Sequence, residues 1–242
     1  MNWWKLSLIL ALVAAAAVIL AAGISTAQQP ASAPAMAAAS APAKVINLPK
    51  PHMEGGMPLM EALKNRQSAR AYSDKPISDQ VLSDLLWAAF GINRPDGKRT
   101  APSAMNWQEF DIYVFRPDGT YLYDAKANTL KEVVAKDLRS QTGGQRFVGT
   151  APLNLVFVAD LSRIRQGGSE EGNLAMVNAD AGFISQNVYL FCASEHLATV
   201  VRAMVPKKPL GEALSLGEKQ RIILAQTIGY PGSAPAATRP GG

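Results

Sequence analysis

The chain has 242 residues, 48% of them hydrophobic, one cysteine and a net charge of +5. That length can bury a core without disulfide or metal staples, and a lone Cys192 excludes an internal disulfide. Lys and Arg are scattered among Asp and Glu rather than gathered in runs, which marks a solvated surface and argues against nucleic acid as the partner.

In chain order, Met1–Lys5 carries one positive charge and two tryptophans, and Leu6–Ile24 is an uncharged run dominated by Leu, Ile, Val, Ala and Gly. The pattern is that of an export signal, with Ser25, Thr26 and Ala27 supplying the small residues that predict cleavage after Ala27. The run is also long enough to span a bilayer, so an uncleaved anchor is the alternative and the only route to a membrane. Either way the protein is expected outside the inner membrane, in the periplasm. Gln28–Lys44 is mostly Ala, Pro and Ser and reads as a flexible tether. The folded part should begin near Val45. In domain terms, residues 1–27 are the signal, 28–50 the tether, 51–231 the domain and 232–242 a Gly/Pro/Ala-rich tail.

Within the domain, Pro58–Arg66 suggests a short helix with Leu59, Met60 and Leu63 on one side. Ser78 is a suitable N-cap for a helix to Phe90, whose stripe is Val81, Leu82, Leu85, Leu86 and Ala89, with Gly91 as the stop. Phe110–Phe115, the turn Pro117-Asp118-Gly119 and Thr120–Tyr123 predict a hairpin. Leu130–Leu138 looks helical. Pro152–Ala159 is a continuous apolar run suited to a central strand buried on both faces. Leu174–Ser194 is the longest helical pattern, apolar nearly all round from Ala179 to Ala193 and so expected to be enclosed, in part at a subunit interface. Ala198–Arg202 and Ile222–Ile228 read as strands, with a short helix opening at the Ser215–Glu218 capping box between them. The sum is an α+β domain, a mixed sheet flanked by helices.

Chemistry concentrates in three places. Arg66, Ser68 and Arg70 alternate just past a helix, which in an extended segment points them the same way. Planar guanidinium donors beside a hydroxyl make an anion cradle. By itself, however, such a triplet is more often a solvated turn whose arginines meet helix carbonyls. The stretch Asn65-Arg66-Gln67-Ser68-Ala69-Arg70-Ala71-Tyr72 resembles the opening signature of the nitroreductase family. Two further motifs follow in the family's order. Pro102, Ser103, Asn106, Gln108 and Phe110 resemble its P-S-x-x-N-x-Q-x-[WFY] loop, and Asp180, Gly182, Gln186 and Asn187 resemble its long central helix. The Pro102-Ser103 loop followed by a Tyr-rich hairpin is also similar to the branch that includes azoline oxidases.

The resemblance spans about Met57 to Pro231. It implies a nitroreductase-like α+β fold and a homodimer with an FMN at each interface site. Arg66, Gln67, Ser68 and Arg70 of one subunit would hold the phosphate and ribityl chain, and Pro102, Ser103, Ala104 and Asn106 of the other would face the ring edge. Hydride from NADH or NADPH would pass through the flavin to a small nitroaromatic or quinone-like acceptor, so no side chain is assigned an acid or base role. Three positions depart from the family pattern. Arg202 and Ala203 stand where many members have Glu-Gly beside the flavin, with solvent as the alternative destination of Arg202. Arg146 stands near a family lysine that stabilises the reduced ring. Arg239, before Pro240, loosely matches a C-terminal basic pair that grips the phosphate. His52 and His196 read as structural, Cys192 as core, and no metal-ligand spacing is visible. The runner-up function is an exported flavin-binding protein without reductase turnover.

Overall fold

The structure is a computed structural model that describes residues 43–165 and 168–233. The expected signal over residues 1–27, the expected tether up to residue 42 and Arg239 lie outside the described residues.

Seven strands are described: β1 (Val45–Asn47), β2 (Phe110–Arg116), β3 (Gly119–Asp124), β4 (Thr129–Val134), β5 (Leu153–Asp160), β6 (Ala198–Arg202) and β7 (Gln220–Gly229). They form one sheet in the order β1-β4-β3-β2-β5-β7-β6. Among the described residues there are four α-helices, α1 (Leu59–Asn65), α2 (Asp79–Phe90), α3 (Glu170–Ser194) and α4 (Lys207–Ala213). The sequence leads one to expect a mixed sheet, yet every neighbouring pair is antiparallel. The reason lies in the β5-α3-β6 unit. Its two strands run the same way, but β7 inserts between them and opposes both, so they never pair. β1 begins inside the stretch assigned to the tether, so the fold reaches back to Val45.

Helices cover both faces. On one, α2 and α3 pack Leu85, Leu86, Ala181 and Ile184 against Leu155 and Phe157 of β5. On the other, Leu210 of α4 packs with Phe115, Val156 and Ile222. Burial of β5 on both faces follows from its continuous run of apolar side chains, all enclosed from Leu153 to Ala159 except for the polar but equally buried Asn154. α2 starts and stops where its ends dictate: Ser78 Oγ accepts the Val81 N–H at 3.3 Å, and Gly91 closes the last turn.

Two local expectations fail for physical reasons, and a third is met within one chain only in part. Residues 130–138 contain β4 rather than a helix, because pairing with both β1 and β3 outweighs the helical propensity of Leu130, Lys131 and Glu132. Ser215–Glu218 is a turn with Ser215 at φ 54°, and the helix precedes it as α4, where Pro209 in the first turn conceals it from propensity. Finally, a single chain encloses only part of α3. Val177, Ala181, Ile184, Val188 and Cys192 are buried, whereas Met176 and Phe183 are about half exposed. On α1 only Ala62 is buried, and Leu59, Met60 and Leu63 face outward.

Candidate active site

Beyond α1 the chain turns extended, with Arg66 at φ −58° and ψ 119°, and crosses the ends of β6 and β7. Ala69 N–H donates to Thr199 O at 2.9 Å, Ser73 N–H to Tyr230 O at 2.9 Å, and Gly232 N–H to Ala71 O at 3.1 Å. These bonds pin the Arg66–Tyr72 run to the sheet margin while Gln67, Ser68 and Arg70 stay exposed. Tyr189 of α3 anchors the run from below. Its hydroxyl lies 2.8 Å from Ser68 Oγ and accepts the Val201 N–H at 3.1 Å, and the Arg66 guanidinium sits 5.2 Å from its ring centroid. A cavity of about 450 Å³ opens here, lined by Gln67, Ala69, Tyr189, His196, Thr199 and Pro231.

The segment carrying Arg146 lies alongside. Phe147 packs on Tyr72 with ring centroids 5.5 Å apart, and Arg146 is exposed. Among the described residues, Arg66, Arg70 and Arg146 have no acidic partner, whereas Arg116, Arg139 and Arg163 each pair with an aspartate. Arg94, Arg99, Arg165, Arg202 and Arg221 likewise lack an acidic partner among the described residues, and Arg66 and Arg70 differ from them in flanking the exposed Ser68 on one extended run.

Arg202 is placed differently from the expectation. It is 5% exposed, so it points neither to solvent nor into an open site. Nε donates to Thr227 Oγ1 at 3.1 Å, Nη1 to Thr142 O at 2.6 Å, and Nη2 to Thr142 Oγ1 and Asn154 Oδ1, both at 3.2 Å. The guanidinium is thus occupied inside the protein. Burial pushes its pKa down to about 10, with the neighbouring Tyr72 acting the other way. Ala203, next along, is exposed.

The third group sits elsewhere along α3. Pro102 and Asn106 are exposed and Ser103 and Ala104 partly so. Ala104 N–H donates to Asp180 Oδ2 at 2.7 Å, and Gln108 N–H to Ser103 Oγ at 3.0 Å. The loop needs such ties because Met105, Asn106 and Gln108 have φ of 48°, 54° and 50°, a region that costs a residue with a side chain roughly 1 kcal/mol or more. Asp180 and Tyr189 are nine residues apart, so at 1.5 Å per residue their stations on α3 are about 13 Å apart. One chain therefore holds the arginine cradle and the Pro102–Asn106 loop at separate places. Sequence reasoning missed Tyr189, Thr142, Asn154 and Thr227. A tyrosine in an otherwise apolar helix stretch was the one available signal.

With this geometry in hand, comparison with known proteins is decisive. The model of the nitroreductase family matches residues 63–230. The chain belongs to the nitroreductase family. A nitroreductase-like protein of Methanocaldococcus jannaschii is 29% identical over 176 residues, which are 69% of this chain and 88% of that one. A nitroreductase-like crystal structure from Ralstonia eutropha is 45% identical, with a TM-score of 0.74 over 78% of this chain and 90% of the other. One from Desulfovibrio desulfuricans, solved in complex with FMN, shares the fold at 23% identity and a TM-score of 0.54, covering 77% and 94% of the two chains. Membership of this family of flavin-dependent oxidoreductases makes the chain an enzyme of that class.

Proposed function

We propose that the protein is an exported FMN-dependent oxidoreductase whose cradle of Arg66, Gln67, Ser68 and Arg70 holds the FMN phosphate and ribityl chain. The observation that carries this reading is the extended run past α1, in which Arg66 and Arg70, neither with an acidic partner among the described residues, flank the exposed Ser68. A dianionic phosphate matches that donor set, since guanidinium forks and a hydroxyl supply charge-assisted hydrogen bonds. Arg146, one residue before the Phe147 that packs on Tyr72, would place positive charge beside the reduced isoalloxazine ring, and Pro102, Ser103, Ala104 and Asn106 of a second copy would close over the ring. Ala203 would offer its backbone at the ring edge.

The chemistry FMN supplies when bound is two-electron transfer between a donor, NADH or NADPH, and a small nitroaromatic or quinone-like acceptor. The chain's own residues bind and orient; none is required to move a proton. A homodimer and a periplasmic location complete the proposal, the latter supported by the charged start, apolar run and small-residue cleavage site at residues 1–27.

Flavin titration tests it. Arg66→Ala removes a charge-assisted contact worth roughly 1.5 to 3 kcal/mol, so FMN binding should weaken about ten- to a hundredfold, and Arg70→Ala should behave alike. Riboflavin, which lacks the phosphate, should bind both variants nearly as it binds the wild type. Equal losses for the two flavins would remove these arginines from the site.

A further inference from the structure

We infer that Arg202 is a positioning residue: from inside the protein it clamps the Thr142–Phe147 loop against the sheet and so sets Arg146 and the Tyr72 side of the phosphate cradle. This rests on the flavin reading above and assigns Arg202 a role at that site without direct ligand contact.

Three strands or segments converge on one guanidinium. Thr142 on the loop takes two of its hydrogen bonds, one to the carbonyl and one to the hydroxyl. Asn154 of β5 and Thr227 of β7 take the others and are themselves joined, Thr227 Oγ1 donating to Asn154 Oδ1 at 2.6 Å. Asn154 Nδ2 then donates to Val148 O at 2.9 Å, which ties down the far end of the same loop. Both ends of the loop are therefore fastened through one buried network. Gly143 fits because it has no side chain: a Cβ there would overlap the Arg202 guanidinium.

Every acceptor in the network is neutral. A buried cation with no carboxylate is costly to keep, and a hydrophobic residue would pack β6 equally well if packing were all that mattered. A planar fork with donors in fixed directions is what lets one side chain join a loop to two strands, which lysine's single ammonium does not do. The loop so held delivers Phe147 onto Tyr72, and the bonds of Ala71 and Ser73 with Gly232 and Tyr230 carry that register along the cradle. Tyr72 also feels the charges of Arg202 and Arg70, so the clamp and the cradle share one electrostatic neighbourhood.

The test pairs Arg202→Lys, which keeps the charge and loses the fork, with Arg146→Ala and the double variant. Amide hydrogen exchange should rise over residues 142–148 in Arg202→Lys while the central strand β5 stays protected. FMN binding should weaken about tenfold in each single variant, and the double should be no weaker than the worse single, because Arg202 acts through the loop that carries Arg146. Riboflavin binding should weaken in Arg146→Ala as well, because the isoalloxazine ring beside Arg146 is common to both flavins. Arg202→Lys with loop exchange and FMN affinity both at the wild-type level overturns the inference, even if its melting temperature drops. So does a double variant whose loss is the product of the two singles. If Arg146→Ala loses FMN while Arg202→Lys keeps it, only the clamp fails; if the wild type takes up no FMN, the flavin reading fails and the clamp's role at the site with it.

Discussion

Glu109 is the residue whose chemistry is least expected from the sequence. It is fully buried one residue before β2, neither carboxylate oxygen meets a hydrogen-bond donor among the described residues, and the carboxyl group of Asp180 lies beside it. Burial first, and then the negative charge of Asp180, push its pKa up to about 7. The unfolded chain releases this proton in the ordinary carboxylate range, about 4.3, and the folded one near 7. Between those values the folded state holds the extra proton, so the contribution of this group to stability is fully present below about 4.3 and falls as pH rises towards 7. One proton gives a slope of at most about 1.4 kcal/mol per pH unit. Thermal melts from pH 5 to 8 should show the decline in the wild type, and Glu109→Gln, which keeps the shape without the charge, should flatten it. Identical slopes in the two proteins would exclude Glu109 as the cause. The position could not be flagged from sequence, since a single Glu before a strand looks like surface. By contrast, Arg66, Ser68 and Arg70 were legible because their alternation is local. Arg202 was visible but misplaced, because its partners come from Thr142, Asn154 and Thr227, far away along the chain.

At the scale of elements, α3 acts as a ruler. Its Asp180 holds the Pro102–Asn106 loop and its Tyr189 holds the arginine run, so the helix fixes how far apart one chain keeps these two segments. Tyr189→Phe tests this. The change keeps the ring under Arg66 but removes the acceptor of the Val201 N–H and the partner of Ser68. A lost hydrogen bond of this kind costs roughly 1 to 2 kcal/mol, so a drop of several degrees in melting temperature and several-fold weaker FMN binding are expected. Unchanged FMN affinity with lowered stability would confine Tyr189 to a structural role. Elements with local signals, such as the capped α2, the β2–β3 hairpin and the apolar β5, could be read directly from the sequence. β4 could not, because its state depends on two neighbouring strands, and α4 was hidden by its proline.

Across the whole molecule, what one chain leaves uncovered points to a second copy. Met176, Phe183 and Leu190 recur every seven residues on α3, with Ala179 and Gln186 between them at the three-four spacing of a helix-pairing seam. Met176 and Phe183 are 52% and 47% exposed, a burial deficit that a helix from a partner would make good. α1 adds Leu59, Met60 and Leu63 beside a groove of about 610 Å³ that reaches Trp87, Leu190 and Phe191. A two-fold axis would apply the same patch to itself, and it would also let the Pro102–Asn106 loop of one chain meet the cradle of the other, which a single chain keeps about 13 Å away along α3. Dimerisation and flavin binding should therefore fail together. Phe183→Glu places a charge in the middle of the seam on a side chain that is already half exposed, so the fold of each chain should survive. Light scattering at micromolar concentration should then give a dimer for the wild type and a monomer for the variant, with circular dichroism unchanged and FMN affinity reduced at least tenfold. A wild-type monomer, or a Phe183→Glu monomer that binds FMN as tightly as before, would show that each chain carries a complete site of its own.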